Sequence, residues 1–195
     1  MKFLKASIAA ACCAAAWFPS LAHAAEGDES VSSRPLRQGF TLELGLGGAL
    51  THVSPERGES LTRFGLAPLS MSVGGFLSPD VALLARAAGT SYFREDAHGD
   101  LHQFVNGFYG GHVQFWVNDD IMLSGGPGLV LFGENTFLHT GTNDTEVGYG
   151  ASFRAGFGVL STKHHSLRFA VEVFPSKYKD AFVMGSALNF EWQYY

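Results

Sequence analysis

The sequence predicts an all-β fold, namely an eight-stranded antiparallel up-and-down β-barrel that spans a membrane. Three observations lead to this prediction. Apolar and polar residues alternate with a period of two over eight long segments, as in strands with one apolar face. Long and short polar connections alternate between these segments. After residue 24, no apolar stretch reaches the roughly 18 residues of a membrane helix, so any membrane span must be made of strands.

The first five strands are each assigned from the residues of an apolar face. Pro68 lies in the second strand and predicts irregular pairing, because proline cannot donate a ladder hydrogen bond. The glycines around Pro127 in the fifth strand predict a bulge or a sharp bend. The apolar faces are Phe40, Leu42, Leu44, Leu46 and Leu50 in the strand over 39–50; Leu69, Met71, Val73 and Leu77 over 64–77; Val81, Leu83, Ala85 and Ala87 over 81–93; Val105, Tyr109, Val113, Phe115 and Val117 over 103–117; and Ile121, Leu123, Leu129 and Leu131 over 121–132.

The clearest alternation runs over residues 146–160, the sixth strand. Its odd positions are apolar, from Val147 to Val159, whereas its even positions include four glycines, Glu146 and Arg154. Strands in soluble proteins are usually about 5–6 residues long. A longer strand that exposes Phe, Tyr and Val and hides small and charged residues fits a barrel in lipid, with acyl chains outside and a polar lumen inside.

The last two strands and the connections complete the pattern. The seventh strand covers 166–174 and the eighth covers 181–195, where Phe182, Met184, Leu188, Phe190, Trp192 and Tyr194 share one face. The longer connections span roughly 13, 9, 13 and 6 residues, and the turns between them about 3, 3 and 5. Bacterial barrels have short periplasmic turns and longer external loops. With both termini in the periplasm, the long connections fall where external loops are expected.

The first 24 residues are predicted to be a signal peptide. Lys2 and Lys5 precede an apolar run over 6–18, and Ala22 and Ala24 give a small-x-small cleavage site. A lipoprotein signal is the alternative, since two cysteines lie in the apolar run. The predicted organisation is therefore a signal peptide at 1–24, a flexible periplasmic lead-in at 25–38, and the barrel at 39–195.

Composition excludes several classes of function. Both cysteines, Cys12 and Cys13, precede residue 24, so the mature chain is expected to contain no disulfide and no thiolate metal site. The chain carries 13 basic and 18 acidic residues. This acidic balance leaves no basic patch to meet phosphates, which argues against nucleic acid as a partner. No cofactor is predicted.

These features resemble the small outer-membrane β-barrels of the OmpA/OmpX type. The resemblance rests on the signal peptide, the eight alternating strands and an aromatic final strand with Phe190, Trp192 and Tyr194, although an extra Tyr195 follows. It implies an outer-membrane location, contact with outer-membrane lipid and lipopolysaccharide, and a C-terminal strand that is read by the barrel-insertion machinery. It also implies a monomer. The resemblance does not extend to the peptidoglycan-binding domain of OmpA, so no cell-wall tether is expected.

The candidate functional site is the lumen. An eight-stranded barrel has an interior only wide enough for side chains to fill, and buried charges must be paired there. If residue 160 pairs with residue 166 across the third turn, Arg154 lies directly opposite Glu172. The polar faces place six charged residues near the periplasmic strand ends, predicting a network that plugs the lumen: Glu43, Arg86, Arg154, Arg168, Glu172 and Glu191.

Two other sequence patterns resemble a catalytic motif and a cation site. His164 and Ser166 have the His-x-Ser spacing found in outer-membrane lipid A deacylases, but Leu167 stands where those enzymes have Asn, and the motif lies at a periplasmic turn. In the second external loop, side chains that could hold a hard cation alternate at Asp96, His98, Asp100 and His102. A solvated turn and a solvated loop explain both patterns better.

The sequence thus predicts an integral outer-membrane barrel that is not an enzyme and has no catalytic, cofactor or metal site. A structural or surface-interaction role with a charge-plugged lumen is favoured. The alternative is a narrow channel or a conduit for small, including apolar, solutes, with a lateral gap at Pro68 or at the glycines around Pro127. A lipid A-modifying enzyme comes third.

Overall fold

A computed structural model describes residues 37–95, 98–134 and 145–195 of the chain. The predicted signal peptide and most of the predicted lead-in lie outside the described residues. Each strand pairs antiparallel with the next, and β1 also pairs with β8, which closes the barrel and confirms the predicted fold class. The strands are β1 Phe40–Pro55, β2 Leu61–Ser78, β3 Val81–Glu95, β4 Leu101–Trp116, β5 Ile121–Glu134, β6 Glu146–Ser161, β7 His165–Lys177 and β8 Ala181–Tyr194.

The barrel wall has an apolar outer face and a buried inner face. On β6, Phe153 and Phe157 are 56% and 58% exposed, while Ser152 and Arg154 between them are 0% and 3% exposed. The same alternation runs along β1, β7 and β8. The predicted facing of these strands is therefore confirmed, and apolar side chains cover the outside of the barrel where a soluble protein would present polar ones.

The strands extend further at one end than the sequence predicted. β1 runs to Pro55 and β2 begins at Leu61, so the first connection has 5 residues instead of about 13. The last of the four long connections, residues 178–180 between β7 and β8, has 3 residues instead of about 6. Polar residues continue the ladder in these segments because their inward side chains find partners, as when the Thr51 and Thr90 hydroxyls bond at 2.8 Å. We call this end extracellular and the opposite end, where β1 begins, periplasmic.

The two predicted irregularities have different outcomes. Around Pro68, β2 holds one extra residue against both of its neighbours, so the predicted irregular pairing is confirmed. Around Pro127 the prediction of a bulge is wrong, because β5 keeps one register with β4 and with β6. Only the β4–β5 ladder lacks pairs at Gly126 and Pro127, as expected where a proline has no N–H to donate.

Three layers of side chains fill the barrel interior. The periplasmic aromatic layer contains Phe76, Trp116 and Tyr195, together with Ala82, Leu84 and Met122. Above it lies the charge layer, described below. The upper apolar layer lies towards the extracellular end and is formed by Ala49, Ala67, Ala88, Phe108, Val130, Phe174, Tyr178, Val183 and Ala187.

Glycines on the inner face make room for the upper apolar layer. A Cβ atom added to Gly110 would come within 2.5 Å of the Phe108 ring, and one added to Gly128 within 2.7 Å of the same ring. An added Cβ at Gly148 would come within 2.9 Å of Tyr178. The glycines that alternate with apolar residues in these strands therefore leave space for large rings from the same strand or from neighbouring segments.

Candidate functional site

The charge layer gathers all six of the predicted lumen residues. Each lies on an inward position of its strand, and their side chains are between 0% and 3% exposed. Three arginines face three glutamates, so the layer carries no formal net charge. The residues are Glu43 on β1, Arg86 on β3, Arg154 on β6, Arg168 and Glu172 on β7, and Glu191 on β8.

Arg154 reaches across the lumen to three acceptors. Its Nη2 lies 2.8 Å from Glu43 Oε2 and donates to Gln114 Oε1 at 2.9 Å. Its Nη1 lies 3.0 Å from Glu191 Oε1. One guanidinium thus links β6 to β1, β4 and β8, which are spread around the barrel wall.

Arg86 holds the second carboxylate of the layer. Its Nε donates to Glu172 Oε1 at 2.7 Å, and its Nη2 bonds the other oxygen, which makes a bidentate pair. Its Nη1 donates to the Ser72 hydroxyl at 2.8 Å. Glu172 also accepts from the Ser152 hydroxyl at 2.6 Å. Such complete hydrogen bonding is what allows charges to remain ionised away from water.

Arg168 is held more loosely at the periplasmic side of the layer. Its Nη2 lies 3.6 Å from Glu43 Oε1, and its Nε lies 3.9 Å from Glu191 Oε2. Its shortest hydrogen bond, to the Ser166 hydroxyl, is 3.4 Å long. Arg168 therefore balances the charge of the layer and contributes few close bonds.

The predicted juxtaposition of Arg154 and Glu172 is confirmed in the backbone, but the two side chains have other partners. The two residues are register partners across β6 and β7. The assumed pairing at the turn is wrong by one residue, since Leu160 pairs with Leu167, and a register shift beside Gly158 restores the alignment. Arg154 bonds Glu43 and Glu191 because its long side chain crosses the narrow lumen, whereas Glu172 is taken by Arg86.

The sequence interpretation missed a second constellation, at the periplasmic mouth. Arg37 is 5% exposed although it precedes β1, in the segment predicted to be a flexible lead-in. Its guanidinium carbon lies 4.9 Å from the centre of the Trp116 ring and 5.9 Å from that of Tyr195. It also donates to the Asp119 carbonyl at 2.9 Å. The extra aromatic residue after the last strand, Tyr195, points inward by strand parity and was a signal for this site.

Neither of the two other motifs forms a compact site in the described part of the chain. Ser166 is buried with its side chain beside Arg168, whereas His164, the histidine of the His-x-Ser motif, is exposed. His102 lies 2.6 Å from the Glu134 carboxylate. Asp96 lies outside the described residues. Among those that are described, no group of three or more His, Cys, Asp or Glu side chains could hold a metal ion.

The described residues contain no helix long and apolar enough to cross a membrane. No protein-family model matches the sequence, and no curated protein matches it either.

Solved structures are similar to the barrel along most of its length. They include Ail, the attachment invasion locus protein of Yersinia pestis, with a TM-score of 0.51 and 17% identity over 80% of this chain and 99% of that one. Neisserial surface protein A has a TM-score of 0.54 and 14% identity over 80% and 96% of the two chains. OprG from Pseudomonas aeruginosa has a TM-score of 0.52 and 10% identity over 83% and 97%.

The closed barrel and its apolar outer face both fit a protein that crosses a membrane. A closed eight-stranded barrel with an apolar outer face satisfies every requirement for crossing lipid with strands. Outer-membrane proteins share this architecture, and the predicted location in the outer membrane is confirmed. The chain has the fold of the small eight-stranded outer-membrane β-barrels.

Proposed function

We propose that this protein is a closed, non-conducting outer-membrane barrel that acts through its extracellular face, in a structural or surface-interaction role without catalysis. The observation that carries the proposal is the filling of the lumen. The charge layer spans the interior from β1 to β6 through the bonds of Arg154. Apolar layers lie above and below it.

The electrostatics of the charge layer support closure. An ion in the lumen would have to displace a carboxylate or guanidinium that already has a buried partner, and a buried charge that loses its partner is costly.

At the periplasmic mouth, Arg37 sits between Trp116 and Tyr195. At the other end, the Tyr178 hydroxyl donates to Asn106 Oδ1 at 2.6 Å and ties the fourth connection to β4.

The similar folds offer examples of surface roles. Ail is named for attachment and invasion, and one of its structures contains a heparin analogue. Neisserial surface protein A is named for its position. These names agree with a barrel that works at its exposed end, and they support the class of role without indicating a partner.

Planar-bilayer recording with the purified full-length protein tests closure. The expected result is no stepwise conductance across a range of voltages and salt concentrations. An Arg154→Ala, Glu43→Ala, Glu191→Ala triple variant, if it migrates as a folded barrel in unheated SDS gels, is expected to conduct because the bonds that Arg154 makes across the lumen are gone and, of the charge layer, only the Arg86–Glu172 pair remains. Reproducible channel steps from the unaltered protein would contradict the proposal.

One observation favours the alternative role as a conduit for small apolar solutes. Between the Leu66–Ser91 pair and the Met71–Ala87 pair, β2 and β3 form no ladder pair. This interruption is where a lateral opening in the wall would form. Flux of a small neutral hydrocarbon into liposomes, faster with the protein than without it and abolished by an inter-strand disulfide at residues 66 and 91, would favour this role over a closed scaffold.

A further inference from the structure

A row of aromatic rings lines the extracellular end of the lumen. Tyr92 on β3 stacks against Phe104 on β4, with ring centres 5.4 Å apart and planes 15° apart. Phe104 continues to Phe132 on β5 at 6.4 Å and 26°. Phe132 meets Tyr178 at 5.7 Å. Four rings, from β3, β4, β5 and the connection after β7, therefore form one apolar surface.

This surface faces the extracellular mouth. Phe104 and Phe132 are only partly buried, while Tyr92 and Tyr178 at its two ends are buried. The upper apolar layer closes the space beneath, since Phe132 packs against that layer. Tyr178 lies in the connection after β7, where burial raises the pKa of its phenol, so the hydroxyl stays protonated and donates to Asn106. The row is thus the floor of a vestibule, defined by Tyr92, Phe104, Phe132 and Tyr178.

Two arginines, Arg63 and Arg94, lie on the extracellular side of this floor at its Tyr92 end. Arg63 pairs in register with Thr51, which is buried inside the barrel, so Arg63 also lies on the inward side of its strand. Arg94 follows Tyr92 by two residues and shares its inward face. Leu66 pairs with Ser91 in the β2–β3 ladder, so Arg63 and Arg94 each lie three residues beyond that pair, at the Tyr92 end of the row.

Neither arginine is neutralised by a described neighbour. In residues 37–95, 98–134 and 145–195, no ion pair or hydrogen bond of the Arg63 or Arg94 side chain is found, and both residues are exposed. By contrast, every arginine in the charge layer lies within 4 Å of at least one glutamate. Exposed, unpaired guanidinium groups beside an aromatic floor are available to a ligand.

Other titratable groups also surround the floor, and the nearest to the arginines is His102, the ladder partner of Arg94 on β4. His102 and Glu134 are paired with each other at 2.6 Å, beside Phe104. Glu146 acts on the Tyr178 hydroxyl, at the opposite end from the arginines. The vestibule therefore has a cationic end and an acidic end, with partly exposed rings between them.

We propose that this extracellular vestibule binds a small anion that carries a flat apolar ring, such as an aryl carboxylate or sulfonate. The ring stacks on Phe104 and Phe132, and the anionic group accepts hydrogen bonds from Arg63 and Arg94. The acidic end at Glu146 disfavours a second anionic group on the far side of the ring. This proposal rests on the proposed closed barrel, because the upper apolar layer supplies the base of the vestibule.

Calorimetric titration of the full-length protein in nanodiscs with 2-naphthoate tests the proposal. Saturable binding is expected, with empty nanodiscs as the baseline for partition into lipid. Neutral 2-naphthalenemethanol is expected to bind about tenfold more weakly, since a charge-assisted hydrogen bond is lost. Equal affinity for the acid and the alcohol would overturn the assignment of the arginines.

Matched variants locate the site. Arg63→Gln and Arg94→Gln are each expected to weaken naphthoate binding about tenfold, while Lys163→Gln at a periplasmic turn leaves it unchanged. Phe104→Leu is expected to weaken binding, and Phe93→Leu, which changes an exposed ring on the outer face, is the control. Unheated SDS gels confirm that each variant is folded.

Two outcomes would overturn the vestibule: binding that survives Arg63→Gln with Arg94→Gln, and binding that responds equally to Phe93→Leu and Phe104→Leu. Conductance is measured separately. Absent naphthoate binding with a silent bilayer refutes the vestibule alone, whereas channel steps refute the closed barrel.

Discussion

The charge layer and the upper apolar layer fill the same cylinder by different means. In the charge layer, long polar side chains cross the lumen and bond to one another, as Arg154 does with Glu43 and Glu191. In the upper apolar layer, rings such as Phe108 fit over glycines of the same strand and of the neighbouring strand. The first layer depends on charge balance and the second on shape.

The comparison shows what each layer tolerates. A charge layer can exchange partners, since Glu43 and Glu191 each have more than one arginine within 4 Å, but it cannot lose a charge without leaving another one unpaired. Substitutions in a layer packed on glycines leave no charge unpaired. An added methyl group, however, overlaps with the rings that already fill the space. The following substitutions test this difference, from the largest expected effect to the smallest.

Replacing Arg154 with Ala is expected to destabilise the barrel by about 3–5 kcal/mol, because two carboxylates lose their closest partner. Denaturant titration in lipid vesicles measures the change. In double-mutant cycles, the coupling of Arg154 to Glu43 should exceed its coupling to Glu172, which Arg86 holds. A larger coupling to Glu172 would show that the register, and not the contact, determines the energy.

Placing an arginine one residue further along, in Ala155→Arg, sharpens the comparison by moving the same charge to the lipid face. Ala155 is exposed on the outside of β6. The expected cost is about 2–4 kcal/mol, the range for a cation near the bilayer midplane on a barrel exterior. Folding in vesicles measures this cost, and Ala155→Leu serves as the control. A cost near zero would mean that position 155 lies at the membrane edge.

In the upper apolar layer, Gly110→Ala is expected to cost about 1–3 kcal/mol, since the new methyl group would meet the Phe108 ring and the Pro127 carbonyl. Gly111→Ala is the matched control, because an added Cβ at this neighbouring residue has nothing within 4 Å. Both variants are compared by the same denaturant titration. Equal costs at the two positions would refute the shape argument for this layer.

The smallest effect is expected at the periplasmic mouth, where Arg37→Gln removes a cation from the Trp116 and Tyr195 rings. A loss of about 1 kcal/mol is expected for a cation–π contact that is largely shielded from water. Arg57→Gln, at an exposed position of the first connection, controls for the loss of a positive charge. If both variants lose the same stability, the ring contacts contribute nothing.

The sequence was sufficient for the wall and for the members of the charge layer. A period of two reveals which face each residue occupies, so Glu43, Arg86 and Arg154 could be placed inside without knowing the strand order around them. Their partners could not be predicted. Contacts across a lumen depend on strand tilt and on side-chain reach, and the ladder neighbour of Arg154 is not its ion-pair partner.

The upper apolar layer was harder to predict for a different reason. Phe108 and Phe174 interrupt the polar face of their strands, and the glycines opposite them look like part of that face. Alternation cannot show that Gly128 and the Phe108 ring belong together, because the two lie on different strands. Likewise, nothing in the local pattern around Arg37 signals that it turns into the barrel mouth.

The Arg37 contact has a consequence for assembly. Arg37 precedes β1, Tyr195 follows β8, and Trp116 ends β4 on the far side of the mouth. Drawing these three together closes very long loops of chain, which is entropically unfavourable until the strands between them are in place. We therefore expect the contact to form late, after the seam between β1 and β8 has closed. The fluorescence of Trp116, followed in a Trp192→Phe variant, would report that last step and distinguish a closed barrel from a sheet that has inserted but not yet closed.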